Sequence, residues 1–326
     1  MLTSTLSQGP KTSPTMRCQV GVAEGHELLL YSFPPPHPFT KERAQRFWEE
    51  LRKSGLKAAK LQPQKAGRDL LRMFHTDDHI QFVEMASRLG YGDLDQGDTP
   101  AYRGVFEAAQ WVVGTTASAL ETVLDGRVDH AFNPVGGLHH SARDRSAGFC
   151  VFNDIGVAVE LLRSKGFQRI LYVDIDVHHG DGVYYSYESD PDLFIFDVHE
   201  DGRYLYPGTG SASETGTGKA LGTKVNIPLL PGSGDQELTE HIPLLEKIVE
   251  KCNPEFIILQ CGADGLSGDP IAGLNYSPEG HRQVASLLHA ASHRHCNGMM
   301  IALGGGGYVP QNCADSWLAV VGSMLG

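Results

Sequence analysis

A run of acidic residues and histidines follows an apolar segment in the middle of the chain. Residues 170–173 are apolar and predict a buried strand, and the run that follows contains Asp174, Asp176, His178, His179 and Asp181. Charged groups at such short spacing repel one another and are costly to bury unless a cation or protons compensate them. The pattern therefore predicts a divalent metal site. The alternative, aspartates that cap the next helix, requires one carboxylate and leaves the others unexplained.

Three other predicted strands end in residues that could serve the same site. Residues 130–133 lead through two glycines to His139 and His140, residues 256–260 lead to Asp264, and residues 299–303 lead through four glycines to Tyr308. Taken singly, the glycine run would also fit a tight turn under a packed tyrosine, and the histidine pair a core element. In open parallel sheets, however, ligands bind beyond the carboxyl ends of the strands, and all these residues fall there.

The spacing of apolar residues predicts an α/β fold, because short apolar runs alternate with amphipathic helical patterns. The predicted strands are residues 19–22, 130–133, 169–174, 193–198, 256–260 and 299–303. The predicted helices are residues 40–54, 104–124, 155–165, 237–252 and 278–295. We expect a mainly parallel sheet covered by helices on both faces.

Length and composition limit the class of protein. The 326 residues suit one domain, which we expect over residues 16–326, after a disordered, Ser/Thr-rich extension of residues 1–15. The net charge of -12 argues against a nucleic-acid surface and would attract cationic substrates. The sequence shows no signal peptide and no membrane span, which predicts a cytoplasmic protein without membrane contact. An oligomer is left open.

The six cysteines are scattered along the chain with no paired spacing, which argues against a zinc ribbon or a disulfide framework. We expect them to be mostly core thiols. They are Cys18, Cys150, Cys252, Cys261, Cys296 and Cys313.

The motifs together resemble the zinc-dependent deacetylase superfamily of histone deacetylases, acetoin-utilisation deacetylases and acetylpolyamine amidohydrolases. GGLHH, GFCVFND, DIDVHHGDG, YPGTG, CGADGLSGDP and GGGGY occur in the family's order over nearly the whole chain. GFCVFND and HEDGRYLYPGTG are most similar to the acetoin-utilisation branch. The resemblance implies a single-domain, three-layer α/β/α fold of the arginase/deacetylase type, with a mainly parallel, eight-stranded sheet.

The resemblance implies a catalytic metal held by Asp176, His178 and Asp264. A histidine nitrogen with carboxylate oxygens and open positions is the ligand pattern of a catalytic zinc, and a structural zinc would favour cysteines. Zn2+ is the expected ion. Fe2+ is the alternative, because oxygen-rich ligand sets also suit it.

The resemblance also assigns the acid and base groups. Asp174 would orient His139 and Asp181 would orient His140, raising the basicity of each imidazole. His140 is the candidate general base, and His139 an electrostatic partner or proton donor to the amine. Tyr308 would donate a hydrogen bond to the oxyanion that forms when an amide carbonyl is attacked.

The remaining substrate contacts come from the same resemblance. Phe149, beside Gly148, and Tyr206 would form two aromatic walls around a lysine side chain, and Gly306 would also contact the substrate. At the tunnel mouth, Asp98 would hold the substrate backbone, although an ordinary turn residue fits it equally well. Arg43 would be the basic residue below the metal. Ile271 would lie beside the mouth, where polyamine-selective relatives carry a carboxylate.

Two structural potassium (K+) sites are implied behind the metal. The first would use Asp174, Asp176 and His178 with backbone oxygens around Asp197, which stands where histone deacetylases have a small hydroxyl residue. The second would use backbone oxygens around Tyr187, Asp190 and Leu193.

These residues favour a metal-dependent amidohydrolase that removes acetyl or other acyl groups from lysine side chains of proteins or peptides. The alternative substrate is a small acylated amine such as an acetylpolyamine. A non-catalytic scaffold that binds acyl-lysine is a third hypothesis. The complete set of metal ligands, histidines and Tyr308 argues against it.

Overall fold

Eight parallel strands form one sheet in the computed structural model, which describes residues 18–326. The strands are β1 (Val20–Ala23), β2 (Ala58–Leu61), β3 (His130–Asn133), β4 (Ile170–Asp174), β5 (Leu193–Glu200), β6 (Lys224–Leu229), β7 (Phe256–Gln260) and β8 (Met300–Leu303). Their order across the sheet is β2-β1-β3-β8-β7-β4-β5-β6. The predicted α/β class and the parallel, eight-stranded sheet are confirmed. The predicted extension of residues 1–15 lies outside the described residues.

The register of the central strands brings their carboxyl ends to one level. Asn133 of β3 pairs with Leu303 of β8, and Leu303 pairs with Gln260 of β7. Gln260 also faces Asp174 of β4, whose other neighbour is Asp197 of β5. The loops after β3, β4, β7 and β8 therefore begin side by side, although they are far apart in the sequence.

The two strands that the sequence pattern did not predict, β2 and β6, form the edges of the sheet. In β2, Ala59 and Lys60 are exposed, so the strand lacks the continuous apolar pattern of its buried neighbours. In β6, Pro228 interrupts the pattern, and proline is tolerated in sheets mainly at edges because it donates no ladder hydrogen bond. Edge position thus explains why both strands were missed.

Ten α-helices pack around this sheet in the described part of the chain. They are α1 (Glu42–Ser54), α2 (Arg68–Leu71), α3 (Asp77–Leu89), α4 (Val105–Leu124), α5 (Asp154–Ser164), α6 (Asp181–Tyr187), α7 (Asp235–Thr239), α8 (Ile242–Cys252), α9 (Pro278–His295) and α10 (Pro310–Leu325). Helix α10 lies between α1 and α9, and α4 packs on β1, β3 and β8. Short 3-10 helices occur at His26–Leu30, Gly218–Ala220 and Ala263–Gly265.

The predicted helix over residues 237–252 is two helices, α7 and α8. Pro243 has no amide hydrogen to continue the helical hydrogen bonds, but its fixed φ suits the first turn of a new helix, and α8 begins at Ile242. The prediction of α9 is confirmed at both ends. At the start of α9, the Ser277 side chain accepts a hydrogen bond from Glu279 N, and Pro278 occupies the first turn.

Within residues 18–326, none of the helices combines the length and the hydrophobicity that crossing a bilayer requires.

Candidate active site

Three buried side chains converge just beyond the ends of β4 and β7. Asp176 and His178 follow β4, and Asp264 lies in the short 3-10 helix after β7. His178 Nδ1 lies 3.1 Å from Asp176 Oδ1 and 3.2 Å from Asp264 Oδ2. Each residue offers a ligand atom within 4.8 Å of the other two. The three residues predicted as metal ligands are therefore brought together.

The arrangement fits a divalent cation, because one carboxylate oxygen is left uncompensated. Asp264 is fully buried, and its Oδ2 atom accepts no hydrogen bond despite its contact with His178. Burial, followed by the charge of Asp176, raises the pKa of Asp264 above its usual range. A buried carboxylate without a donor is costly, and a cation between these oxygens and the imidazole would remove that cost.

Two glycines allow the backbone to approach these carboxylates. A Cβ atom at Gly262 would lie 1.8 Å from Asp176 Oδ2, and one at Gly306 would lie 1.9 Å from Asp264 Oδ2. Any side chain at either position would displace a ligand. The backbone N of Gly306 instead donates to Asp176 Oδ2 at 2.8 Å, and Gln260 Nε2 donates to the same oxygen at 2.8 Å. These two bonds hold Asp176 with Oδ1 towards His178.

The two histidines after β3 stand beside this ligand set, each held by its own carboxylate. His139 Nδ1 is 2.7 Å from Asp174 Oδ2, and His140 Nδ1 is 2.6 Å from Asp181 Oδ1. The two Nε2 atoms face each other at 3.1 Å. The structure thus pairs Asp174 with His139 and Asp181 with His140, as the sequence resemblance implied.

The two imidazoles differ in basicity. Burial lowers the pKa of both, but the charges of Asp174 and Asp176 more than offset this effect and raise the pKa of His139 to about 9. For His140, burial and the positive charge of His139 outweigh Asp181 and lower the pKa to about 4. At neutral pH this favours a charged His139 and a neutral His140, which can accept a proton.

Residues that the sequence interpretation did not select hold the histidine loop. Asp154, the first residue of α5, accepts hydrogen bonds from the backbone N atoms of Gly137 and Leu138. The Asn153 side chain donates to Ser141 O at 2.8 Å. Both residues belong to the GFCVFND motif. In the sequence, these two polar residues follow an apolar run and directly precede a predicted helix, and this position was the available signal of their role.

His75 supports Asn153 from behind. Its Nε2 accepts a hydrogen bond from Asn153 N at 2.9 Å, and its Nδ1 faces Arg143 O at 3.3 Å. Since Nε2 is an acceptor, the ring is neutral with its proton on Nδ1. Burial, and then the nearby His79, lower the pKa of His75 to about 3, which agrees with this neutral state.

Tyr308 closes the other side of the ligand set. Its backbone N donates to Asp269 Oδ2 at 2.8 Å, so the buried Asp269 fixes the end of the glycine run. Arg43 donates to Gly305 O, and its guanidinium lies 4.0 Å from the Phe39 ring centroid and 5.6 Å from that of Tyr308. Burial raises the pKa of Tyr308 well above its usual range, so the phenol keeps its proton as a donor. Asp269 was missed by the sequence interpretation.

Two cavities are lined by these groups and their neighbours. The inner cavity, of about 20 Å³, is lined by the three predicted ligands, both histidines, Gly148, Gly306 and Tyr308. This volume admits about one water molecule. The outer cavity, of about 750 Å³, is lined by Asp98, Asp181 and Tyr206 among others. Ile271 lines neither cavity, and its backbone N donates to Asp269 Oδ1.

Of the two predicted aromatic walls, Tyr206 lines the outer cavity and Phe149 lines neither cavity. The Tyr206 ring packs edge-on against the His140 ring, with a distance of 5.1 Å between the ring centroids. The Phe149 and Tyr308 rings also pack edge-on, with their centroids 5.8 Å apart. A Cβ atom at Gly148 would lie 2.5 Å from His140 Cδ2 and 3.0 Å from Tyr206 Cε1, so a side chain here would clash with both rings. Phe149 has φ of 67°, which is unusual for a bulky residue.

A loop at the rim supports Phe149. Thr99 Oγ1 accepts a hydrogen bond from Phe149 N at 2.9 Å, and the Tyr31 hydroxyl donates to Phe149 O at 2.6 Å. Asp98, beside Thr99, lies at the outer cavity as predicted for a rim residue. Burial, and then the charge and hydrogen bonding of Asp95, raise the pKa of Asp98 to about 6.

The surroundings of Asp197, at the first implied potassium site, are already filled by protein donors. Asp197 Oδ1 lies 2.6 Å from His199 Nδ1, and Oδ2 accepts a hydrogen bond from Gly180 N at 2.9 Å. The Asp174 carboxylate, in turn, accepts hydrogen bonds from the Tyr172 hydroxyl and from Asp176 N. Potassium binding here stays a prediction.

The second implied potassium site holds a cation of the protein itself. Lys224 Nζ donates to Asp190 O at 2.7 Å, to Leu193 O, and to Thr223 Oγ1 at 3.1 Å. Two of the carbonyl groups assigned to potassium therefore bind the Lys224 ammonium. The backbone O of Tyr187, the third implied group, accepts a hydrogen bond from Asp190 N at 3.0 Å. A potassium ion would have to compete with Lys224 for the same oxygens.

The chain matches the histone deacetylase domain family over residues 37–324. The acetoin utilization protein AcuC of Bacillus subtilis is 37% identical over 308 residues, covering 90% of this chain and 79% of that protein. A probable deacetylase of Archaeoglobus fulgidus is 33% identical, and the match covers 94% of this chain and 86% of that protein. The crystal structure of an HDA15 HD domain matches with a TM-score of 0.88 and 28% identity, over 95% of this chain and 88% of that one. The chain therefore belongs to the histone deacetylase family.

Proposed function

We propose that this protein hydrolyses the side-chain amide of acetyl-lysine, or of another acyl-lysine, in proteins or peptides. The observation that carries the proposal is the inner cavity, where the ligand set, the histidine pair and Tyr308 meet. Membership of the histone deacetylase family supports hydrolytic deacetylation in general. Zn2+ is the metal we propose for Asp176, His178 and Asp264, with Fe2+ as the alternative.

The zinc ion, when bound, would supply Lewis acidity that polarises the amide carbonyl and acidifies the attacking water. The chain's own groups would carry the remaining steps. His140 would accept the proton of the water through Nε2, with Asp181 stabilising the charged ring. His139 would donate a proton to the departing amine. Tyr308 would donate its phenolic proton in a hydrogen bond to the oxyanion, which is typically worth about 3 to 4 kcal/mol.

The two predicted aromatic walls and Gly148 support a long, thin substrate chain. Phe149 and Tyr206 would contact the methylene groups of the acylated lysine, and Gly148 would leave room for them. The peptide backbone would lie in the outer cavity, where Asp98 would accept its hydrogen bonds. We also propose that the protein is cytoplasmic and binds potassium at the first implied site. We propose no membrane or nucleic-acid partner.

An acetylpolyamine is the second candidate substrate, favoured by acidic groups at the outer cavity. Asp95, Asp98 and Asp181 line that cavity and would attract a second ammonium group. Ile271 is apolar where the family resemblance implies a carboxylate in polyamine-selective relatives, although it lines neither cavity. An ammonium held beside it would lose hydration without gaining a partner. We therefore expect acyl-lysine peptides to be the better substrates.

A comparison of purified substrates tests the proposal. We expect kcat/KM for acetyl-lysine peptides to exceed that for acetylputrescine and acetylspermidine. Removal of the metal with a chelator should abolish turnover, and zinc should restore it, whereas a non-catalytic scaffold would show no turnover in either state. Ile271→Glu should shift the ratio towards the polyamines, with Ile271→Gln as the uncharged control. A preference of the native enzyme for acetylpolyamines would overturn the peptide assignment.

A further inference from the structure

A second group of metal-binding side chains lies at the amino-terminal end of the sheet, away from the active site. Cys18, His130, His289 and His293 each offer a donor atom within 4.8 Å of those of the other three. Cys18 precedes β1, His130 begins β3, and the other two histidines lie one turn apart on α9. Three distant segments thus meet at one point, which we call the Cys18 cluster.

Two distances within the Cys18 cluster are close to those between neighbouring ligands around a metal ion. Cys18 Sγ lies 3.2 Å from His293 Nε2, and His130 Nε2 lies 3.0 Å from His289 Nδ1. Around a tetrahedral zinc ion, ligand atoms bound at about 2.0 to 2.3 Å stand about 3.3 to 3.6 Å apart. The remaining donor atoms lie within 4.8 Å of one another, so side-chain movements of about 1 Å would bring all four onto one ion.

Burial separates the Cys18 cluster from an ordinary surface group of histidines. Cys18 is 7% exposed and His130 is fully buried, and the other two rings are half-buried. His130 Nδ1 is buried and has no hydrogen-bond partner, although its Nε2 faces the cluster. The three imidazole rings pack with centroid distances of 4.7 to 5.3 Å. Burying so many nitrogen donors and acceptors together is costly unless a shared partner satisfies them.

The donor set selects the kind of metal. One thiolate and three imidazoles suit Zn2+ and similar transition metals, whereas Mg2+ and Ca2+ prefer oxygen ligands. Four protein ligands fill a tetrahedral site and leave no position for a substrate, which is the pattern of a structural site. The active-site ligands Asp176, His178 and Asp264 lie at the opposite end of the strands, so the two sites share no residue.

We propose that a structural Zn2+ ion is bound by Cys18, His130, His289 and His293 and holds the segment before β1 against β3 and α9. The backbone N of Cys18 also donates to Leu325 O at the end of α10, so the bound ion would hold this segment against two helices and the sheet. A loop from residue 18 to residue 293 closed by a metal constrains the unfolded chain strongly. The proposal does not depend on the proposed catalytic activity.

Metal analysis of a variant without the catalytic site tests the proposal. In Asp264→Ala, the full-length protein should retain about one zinc ion per chain after dialysis against buffer without chelator. Adding Cys18→Ser or His293→Gln should lower that zinc content to near zero. Cys252→Ser and His295→Gln, which change the same residue types outside the cluster, should leave it unchanged.

Cobalt substitution identifies the ligand that holds the metal. Only the Cys18 cluster includes a cysteine among its proposed ligands, so Co2+ bound there should show a thiolate charge-transfer band. Cys150 lines the inner cavity, and the band should therefore also persist in Cys150→Ser. The band should be present in Asp264→Ala and absent after Cys18→Ser. His289→Gln, at a half-buried position, provides a second variant if Cys18→Ser does not fold, as judged by circular dichroism.

Absence of the charge-transfer band in correctly folded Asp264→Ala protein would overturn the proposal and leave the cluster as hydrogen-bonded histidines. Zinc content that is insensitive to His289→Gln and His293→Gln would overturn it as well. Failure of the native protein to deacylate acetyl-lysine peptides, with the charge-transfer band intact, would count only against the proposed function, so the two failures can be distinguished.

Discussion

His139 and His140 meet through their Nε2 atoms, which lie 3.1 Å apart, while the Nδ1 atom of each ring contacts a different aspartate. Two nitrogens at this distance share one proton, so the two rings cannot both be charged without strong repulsion. The more acidic surroundings of His139 raise its pKa to about 9, and the pKa of His140 falls to about 4. This asymmetry favours His140 as the proton acceptor in the proposed reaction.

We expect His140→Ala to lose about 100- to 10,000-fold in kcat, the usual contribution of a general base. The protein should keep its zinc, because His140 is not one of the three ligands. Metal analysis and steady-state kinetics on acetyl-lysine peptides measure the two effects separately. An unchanged kcat would show that another group takes the proton.

Replacing a metal ligand should have a different result. Asp264→Ala removes a carboxylate whose Oδ2 atom has no other partner, so we expect both turnover and active-site zinc to be lost. Asp98→Ala makes the same change at the rim and should retain the metal. Full occupancy of the active site in Asp264→Ala would remove this residue from the ligand set.

Tyr308→Phe should separate oxyanion stabilisation from metal binding. The variant keeps the ring and loses only the hydroxyl, so we expect kcat to fall by about 100-fold or more, with zinc content and thermal stability preserved. Tyr204→Phe, at a position where the ring is 59% exposed, is the matched control. Equal rates for the two variants would mean that the metal alone stabilises the oxyanion.

Lys224 should make a monovalent cation unnecessary at the second implied potassium site. Lys224→Met leaves the carbonyl oxygens of Asp190 and Leu193 without their donor, which costs about 1 to 3 kcal/mol for each unsatisfied group. We expect the variant to be destabilised and then stabilised again by K+ more strongly than the native protein. Melting temperatures in potassium chloride and in choline chloride of equal ionic strength measure this difference. Equal responses of the two proteins would contradict the assignment.

Protonation of His75 should destabilise the protein in mild acid. The pKa of His75 falls from 6.5 to about 3 on folding, because burial and then the nearby His79 disfavour the charged ring. The Nε2 atom of the neutral ring accepts the hydrogen bond of Asn153 N. Between these values the unfolded chain binds the proton and the folded chain does not. The free energy of unfolding should therefore fall as the pH decreases from 6.5 towards 3, by about 1.4 kcal/mol per pH unit from this residue.

His75→Gln is the matched variant, since an amide can accept from Asn153 N and donate to Arg143 O without titrating. The pH dependence of its unfolding free energy, measured with urea, should be flatter than that of the native protein over this range. His79 titrates in the same direction and should keep part of the dependence in both proteins. An equal pH dependence of the unfolding free energy in the two proteins would show that the folded protein does not require a neutral His75.

Local patterns in the sequence were enough to predict the central strands and the residues after them. β4 and β7 are apolar up to their last residue because both faces are buried, and the polar residues that follow mark the carboxyl edge of the sheet. β3 is equally buried, although its sequence, HAFN, is apolar only at its centre. The edge strands β2 and β6 escaped prediction because one side of each lacks a strand neighbour, which permits exposed residues and proline.

The sequence by itself thus determined the fold class and the residue types of the active site. Only the tertiary structure decided which residues meet across long separations. It placed the Lys224 ammonium on the Asp190 and Leu193 carbonyl groups and collected Cys18 with three histidines from β3 and α9. No spacing of residues in the sequence signals either arrangement, because each depends on the order and register of strands and helices. Those follow from packing the whole core and cannot be deduced from any one segment.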